Sequence, residues 1–150
     1  MKSQNFEFLR AKRPLLADLG GFAEKYAHPD PQSSLVKQRA FVENAVLAIY
    51  DAYRLQLPYS ENLNDRLLAD EFRQAVPTIV QDKLHTVRKV GNHAAHLNTA
   101  LPARTALDCL LVLFEIAEWF HIQVDGGARA NCPRYVGPTP EPADDTRAKA

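Results

Sequence analysis

The chain has 150 residues, 46% of them hydrophobic, and its 18 basic and 18 acidic side chains leave no formal net charge. That length is enough for one domain with a real core, and the charge balance excludes a domain that holds DNA mainly by neutralising phosphates, because such domains are visibly basic. The richest apolar run, Cys109 to Phe120, is interrupted by Glu115 and Glu118 and is too short to span a bilayer, and the N-terminus lacks a secretory apolar segment. The expectation is a cytoplasmic protein with no membrane partner.

Asn5 to Arg13 reads as a short helical start, and Pro14 opens a second segment running to about Ala27. His28-Pro29-Asp30-Pro31 stops the chain, since each proline restricts the residue before it. Ser33 or Ser34 can cap the next helix, placed at about 33–56. Its apolar stripe is Leu35, Val42, Val46, Ile49 and Tyr53, and Arg39 and Glu43 stand one turn apart, where they can pair. After a break at Leu57-Pro58-Tyr59-Ser60, Leu63, Leu67, Leu68 and Phe72 predict a helix from Asn62 to Ala75.

Pro77 restarts the chain, and Ile79, Val80, Leu84, Val87 and Val90 give the apolar side of a helix that carries Arg88-Lys89-Val90-Gly91-Asn92-His93-Ala94-Ala95-His96. A last helix at about 103–123 is apolar on almost every side, with Asp108, Glu115 and Glu118 as a narrow wet stripe. Such a helix is buried centrally or covered by a partner, which makes a homodimer through it one expectation. Beyond Gly126-Gly127, four of the ten prolines fall between Pro133 and Pro142. That composition reads as a flexible linker or tail, 126–150, leaving a helical domain at 1–125 for domains further along. With no strand alternation, the fold class is all-α: a bundle of about five helices with an extended Pro-rich C-terminal tail.

The nine residues from Arg88 to His96 are the most informative stretch. Residues one turn apart share a helix face, so His85, Arg88, Asn92 and His96 fall roughly in line, with Lys89 and His93 beside them. Gly91, Ala94 and Ala95 leave room for another backbone. Such a face builds either a site or a buried polar lock. In the lock, Asn92 and His96 pair with Arg39 or Glu43 of the earlier helix, with Gly91 and Ala95 permitting the close crossing, because buried polar groups need partners. As a surface, Lys83, Arg88 and Lys89 form a patch for a phosphate backbone or an acidic partner. Cys109 and Cys132 show neither zinc spacing nor a disulfide framework, so no metal is expected. His28 and His121 read as structural or exposed, and Trp119 and Phe120 as core or interface.

Three segments also carry a resemblance. Ser3-Gln4-Asn5-Phe6-Glu7-Phe8-Leu9, Asp30-Pro31 with Leu35-Val36-Lys37-Gln38-Arg39-Ala40-Phe41-Val42-Glu43, and the Arg88–His96 stretch together resemble the N-terminal helical domain of type I restriction enzyme R subunits, a domain of unknown function similar to the HEPN superfamily. The resemblance covers roughly residues 3 to 122. It implies a non-catalytic module that assembles with other subunits of a restriction–modification complex or positions DNA. ATP and Mg would serve only motor and nuclease domains outside this chain, since no Walker-type glycine loop and no convincing nuclease carboxylate–Lys set is present. It also implies two alternatives, an HEPN-type metal-independent ribonuclease and a standalone helical adaptor of a defence system. In HEPN ribonucleases an Arg, usually followed by a polar residue, precedes a His. Asn92 and His96 match, but Gly91 stands before Asn92, and Arg88 one turn earlier would have to substitute. The ribonuclease set would then be Arg88, Asn92 and His96, the His moving a proton and the Arg steadying phosphate charge.

Overall fold

The computed structural model describes residues 1–140. Six α-helices lie among them: α1 (Pro14–Tyr26), α2 (Pro31–Ala52), α3 (Leu63–Leu68), α4 (Asp70–Ala75), α5 (Thr78–Ala95) and α6 (Ala103–Trp119). No strand occurs among the described residues, so the all-α expectation holds, with six helices where about five were read. The segment 141–150 of the expected tail lies outside the described residues.

The longest helix, α2, is the spine. It starts two residues earlier than the serines suggested, because Asp30 is its cap. Asp30 Oδ1 accepts from Ser33 N at 3.2 Å, and Pro31 takes the first helical position, where a missing N–H costs nothing. Ser34 is buried instead, donating to the Ala23 carbonyl at 2.7 Å. The helix ends at Ala52 with Arg54 in the left-handed region at φ 54°, while Arg54 N reaches Asp51 O at 3.2 Å and Leu55 N reaches Tyr50 O at 2.9 Å. This pair of bonds is a Schellman cap that a glycine would adopt with less strain.

The expected Asn62–Ala75 helix is two short ones. Ala69 is extended at ψ 138°, and the break lets Leu63 and Leu67 before it and Phe72 after it all reach the core. Tyr50 of α2 holds the joint: its ring stacks on Phe72 at 5.4 Å, and its hydroxyl donates at 2.6 Å to the Arg66 carbonyl left open at the end of α3.

α1, α5 and α6 all pack on α2, and α6 also packs on α5. Phe6, fully buried, sits among Phe41 of α2 (5.6 Å between ring centroids) and Phe114 of α6 (6.0 Å). Gly20 of α1 makes room for that ring, since a Cβ there would stand 2.5 Å from Phe6 Cγ. The apolar breadth of α6 is used within the domain: Ala106, Cys109, Leu110, Leu113, Phe114, Ile116 and Ala117 are all buried. Arg104, Asp108, Leu111 and Glu115 form its exposed strip. No helix among the described residues is long and apolar enough to cross a membrane.

Within the segment whose composition reads as a flexible tail, residues 135–138 contact the helical domain. Val136 exchanges two hydrogen bonds with Asn5, its N–H donating to Asn5 Oδ1 at 2.9 Å and its carbonyl accepting from Asn5 Nδ2 at 2.8 Å. Tyr135 packs on Phe114 at 5.2 Å, and His28 Nε2 meets the Pro138 carbonyl at 2.7 Å. Asn5 is itself fixed: Glu24 of α1 accepts from Asn5 N, Asn5 Nδ2, Gln4 N and the Ser3 hydroxyl at 2.7–3.0 Å. The prolines make this segment extended, and a side chain 131 residues earlier in the chain supplies the partner its backbone needs.

Candidate functional site

The small residue in the nine-residue stretch does what its size suggested. At the crossing of α2 and α5, a Cβ on Gly91 would stand 2.7 Å from Arg39 Cβ and 2.9 Å from the Leu35 carbonyl oxygen. Ala94, also buried, continues this contact, whereas Ala95 is exposed. The end of α5 is closed by Gln32 of α2, whose amide donates to the carbonyls of Ala94 and Leu97 at 3.2 Å each. Ala94 lies in the last turn, where its oxygen also takes the Leu97 N–H at 3.4 Å, and Leu97 lies just beyond the helix.

The polar lock is not built from the residues expected. Asn92 and His96 are both exposed, and neither side chain has a hydrogen bond among the described residues. The helix stops at Ala95, so His96 is its cap residue at φ −111° and leaves the line of the face. Arg39 and Glu43 do meet, at 3.5 Å, as a half-exposed pair within α2. Gly91 explains the outcome: the crossing brings Arg39 against position 91, and Asn92 and His96 turn away from α2. The buried polar chain lies elsewhere. Ala23 O accepts from Ser34, Ser34 accepts from the fully buried Gln38 at 3.2 Å, and Gln38 also donates to Ala106 O at 3.1 Å, joining α1, α2 and α6. Gln38 lay inside a segment already singled out, but nothing in the linear sequence distinguishes it from an exposed glutamine.

The expected basic patch is divided. Lys83 leans to α6, with its ammonium 3.6 Å from Glu115. Arg88 and Lys89 instead line an open groove of about 520 Å³ with His85, Thr86 and Asp82 of α5 and Asn64 of α3. Arg88 Nη2 stands 3.4 Å from His85 Nδ1, and its Nε is buried without a hydrogen bond. A guanidinium can only donate, so Nδ1 must be the unprotonated nitrogen and the neutral ring carries its proton on Nε2. Burial, together with the charges of Arg88 and Lys89, holds His85 below the ordinary imidazole range. Asp82 shares the α5 face by helical spacing, but Asn64 could not be placed here from sequence, because it comes from α3.

Several other titratable groups make structural contacts. Arg13 grips Asp125 through both carboxylate oxygens at 2.7–3.2 Å and lies over the Phe120 ring, and the pairing with Asp125 raises its pKa. His121 is buried edge-on to Phe8, with Nε2 3.1 Å from the Asn131 amide. Phe120 is core, and Trp119 packs against the core with part of its ring exposed. Burial pushes the Cys109 thiol up to about 12, which leaves it an unreactive core residue. Among the described residues no group of three or more His, Cys, Asp or Glu side chains could hold a metal ion.

No protein-family model matches the chain, and no solved structure matches it. The chain is 29% identical over 138 residues to the type I restriction enzyme EcoKI endonuclease subunit of Escherichia coli strain K12. The match covers 92% of this chain and 12% of that subunit, so the chain spans about an eighth of the relative's length. The similarity supports a relationship to the endonuclease subunits of type I restriction systems.

Proposed function

We propose that this domain is a non-catalytic assembly and DNA-positioning module of a type I restriction endonuclease subunit. The observation that carries the reading is the match itself, which runs along 92% of the chain while taking up only 12% of a subunit named for its endonuclease. The use of side chains agrees with it. Asn5, Gln38 and Gly91, all within the three segments that carry the family resemblance, are buried and hold helices or the segment around Val136 in place. Partners would then be the other subunits of the complex, with ATP and Mg used by domains outside this chain. The test is co-elution of the 150-residue chain with those subunits on size exclusion. A shared peak supports the reading, and separate elution at micromolar concentrations, on the order expected for transient docking, refutes it.

One observation favours a second reading as a metal-independent, HEPN-type ribonuclease: Asn92 and His96 are exposed, with Arg88 on the same helix. Against it, position 91, where that family places its arginine, is closed by Arg39 and the Leu35 carbonyl. RNA cleavage that persists in chelator and is lost in His96→Ala would establish it.

A further inference from the structure

The groove between α3 and α5 holds a half-buried arginine, Arg88, that makes no ion pair among the described residues and whose Nε is buried without a hydrogen bond, whereas four other arginines are held by carboxylates. Arg10 meets Glu7 and Asp18, Arg13 meets Asp125, Arg39 meets Glu43, and Arg104 meets Asp108. Arg88 is half-buried, and among the described residues no ion pair joins it or Lys89 to Asp82, the carboxylate lining the same groove. Thr86 does not neutralise the site either, since its hydroxyl donates to the Asp82 backbone carbonyl at 2.9 Å. Two permanent cations therefore face one carboxylate. Beside them His85, which accepts from Arg88, keeps its Nε2 proton available to donate, and Asn64 carries a neutral amide donor. The Lys83 ammonium, drawn to Glu115, plays no part in this groove.

We propose that this groove is a phosphate-binding site and that it takes the phosphodiester backbone of DNA. The proposal deepens the DNA-positioning half of the reading above and rests on it. A phosphodiester presents two unesterified oxygens to a planar guanidinium fork, and a second cation one residue along can follow the strand. The groove offers donors and no deep apolar pocket, so it suits sequence-independent backbone contact and carries no means of reading bases. The domain's zero net charge adds no long-range attraction, so binding stays weak outside a larger assembly.

The experiment is an anisotropy titration of a labelled DNA duplex with the 150-residue chain at low and at physiological salt. The variants are Arg88→Gln/Lys89→Gln and, as a charge-matched control on exposed positions of α6 and α1, Arg104→Gln/Lys25→Gln. The wild type is expected to bind with a Kd on the order of micromolar, and the groove variant about tenfold more weakly with a salt slope lower by about 1–2. The control should stay within about twofold of wild type, because its lost charges touch no phosphate. Inorganic phosphate should shift the His85 ring signals in NMR of the wild type and not of the groove variant. Urea unfolding of both variants confirms that each is folded before binding is compared. Equal losses in the two variants would mean bulk charge alone and overturn the site. Absence of duplex binding by the wild type would overturn it as well. A His85 response to inorganic phosphate without DNA binding would reassign the groove to a free phosphate and overturn the DNA assignment. Co-elution with the other subunits is read separately, so the assembly reading survives any of these failures.

Discussion

Replacing Gly91 tests the tightest contact in the fold, and the sign of the result is informative. In an exposed helix interior, Gly→Ala stabilises by about 1 kcal/mol, because alanine has the higher helix propensity. At this crossing the new methyl would stand 2.7 Å from Arg39 Cβ and 2.9 Å from the Leu35 carbonyl oxygen. Ordinary contact between carbon atoms begins at about 3.5 Å, so the Arg39 Cβ and the new methyl must move apart by about 0.8 Å. Forcing a packed interface in this way costs about 1–3 kcal/mol. Subtracting the propensity gain leaves a net loss near ~1 kcal/mol for Gly91→Ala. Gly91→Val adds two more methyls and regains less propensity, so its loss should reach about 3 kcal/mol. Urea unfolding followed by circular dichroism measures both, and for a chain of this size each kcal/mol moves Tm by about 2–4 °C. A Gly91→Ala protein more stable than wild type would refute the close crossing, and with it the account of why Asn92 and His96 face outward.

Three further outcomes follow from the same geometry. His96→Ala and Asn92→Ala should each change stability by less than about 0.5 kcal/mol in urea unfolding, because both side chains are exposed, and a loss of several times that would restore the buried lock. Asn5→Ala removes the pair of bonds to Val136 and one to Glu24, and should cost about 2–3 kcal/mol while speeding amide exchange at Val136; unchanged exchange there would show that the 133–138 segment is held by other contacts. Arg54→Gly relieves a left-handed non-glycine residue and should raise the unfolding free energy by about 0.5–1 kcal/mol, so a loss would mean that the arginine side chain makes a contact worth more than the strain.

Much of the fold was legible because periodicity reports burial. The apolar stripes at Leu35, Val42, Val46 and Ile49, and at Val80, Leu84 and Val87, became core as read, and the all-round apolar α6 proved to be covered by its own domain. Ile79 shows the limit: it is 65% exposed, because it stands one residue off the buried stripe of Val80, Leu84, Val87, Gly91 and Ala94. Helix ends were missed where a long-range partner decided them, as with Tyr50 holding the break at Ala69, or where a local cap competed, as with Asp30 displacing Ser33 and Ser34. The structure divides the residues of the expected polar face for one physical reason. A helix face fixes which residues share a side but not which neighbour covers that side. Gly91 was seen as a point of approach, yet only the position of Arg39 and Leu35 shows that the approach excludes Asn92 and His96. The joining of Arg88 and Lys89 to Asn64, and the departure of Lys83 toward Glu115, depend on how α3 and α6 flank α5, and neither is encoded within the helix that carries them.

The proposed assembly role is tested most directly in an endonuclease subunit that carries this domain, by native mass spectrometry of the restriction complex reconstituted with and without residues 1–140, alongside the ATPase activity of the free subunit. The account predicts that the shortened subunit keeps its ATPase and no longer joins the complex. A shortened subunit that assembles as fully as the intact one would contradict it.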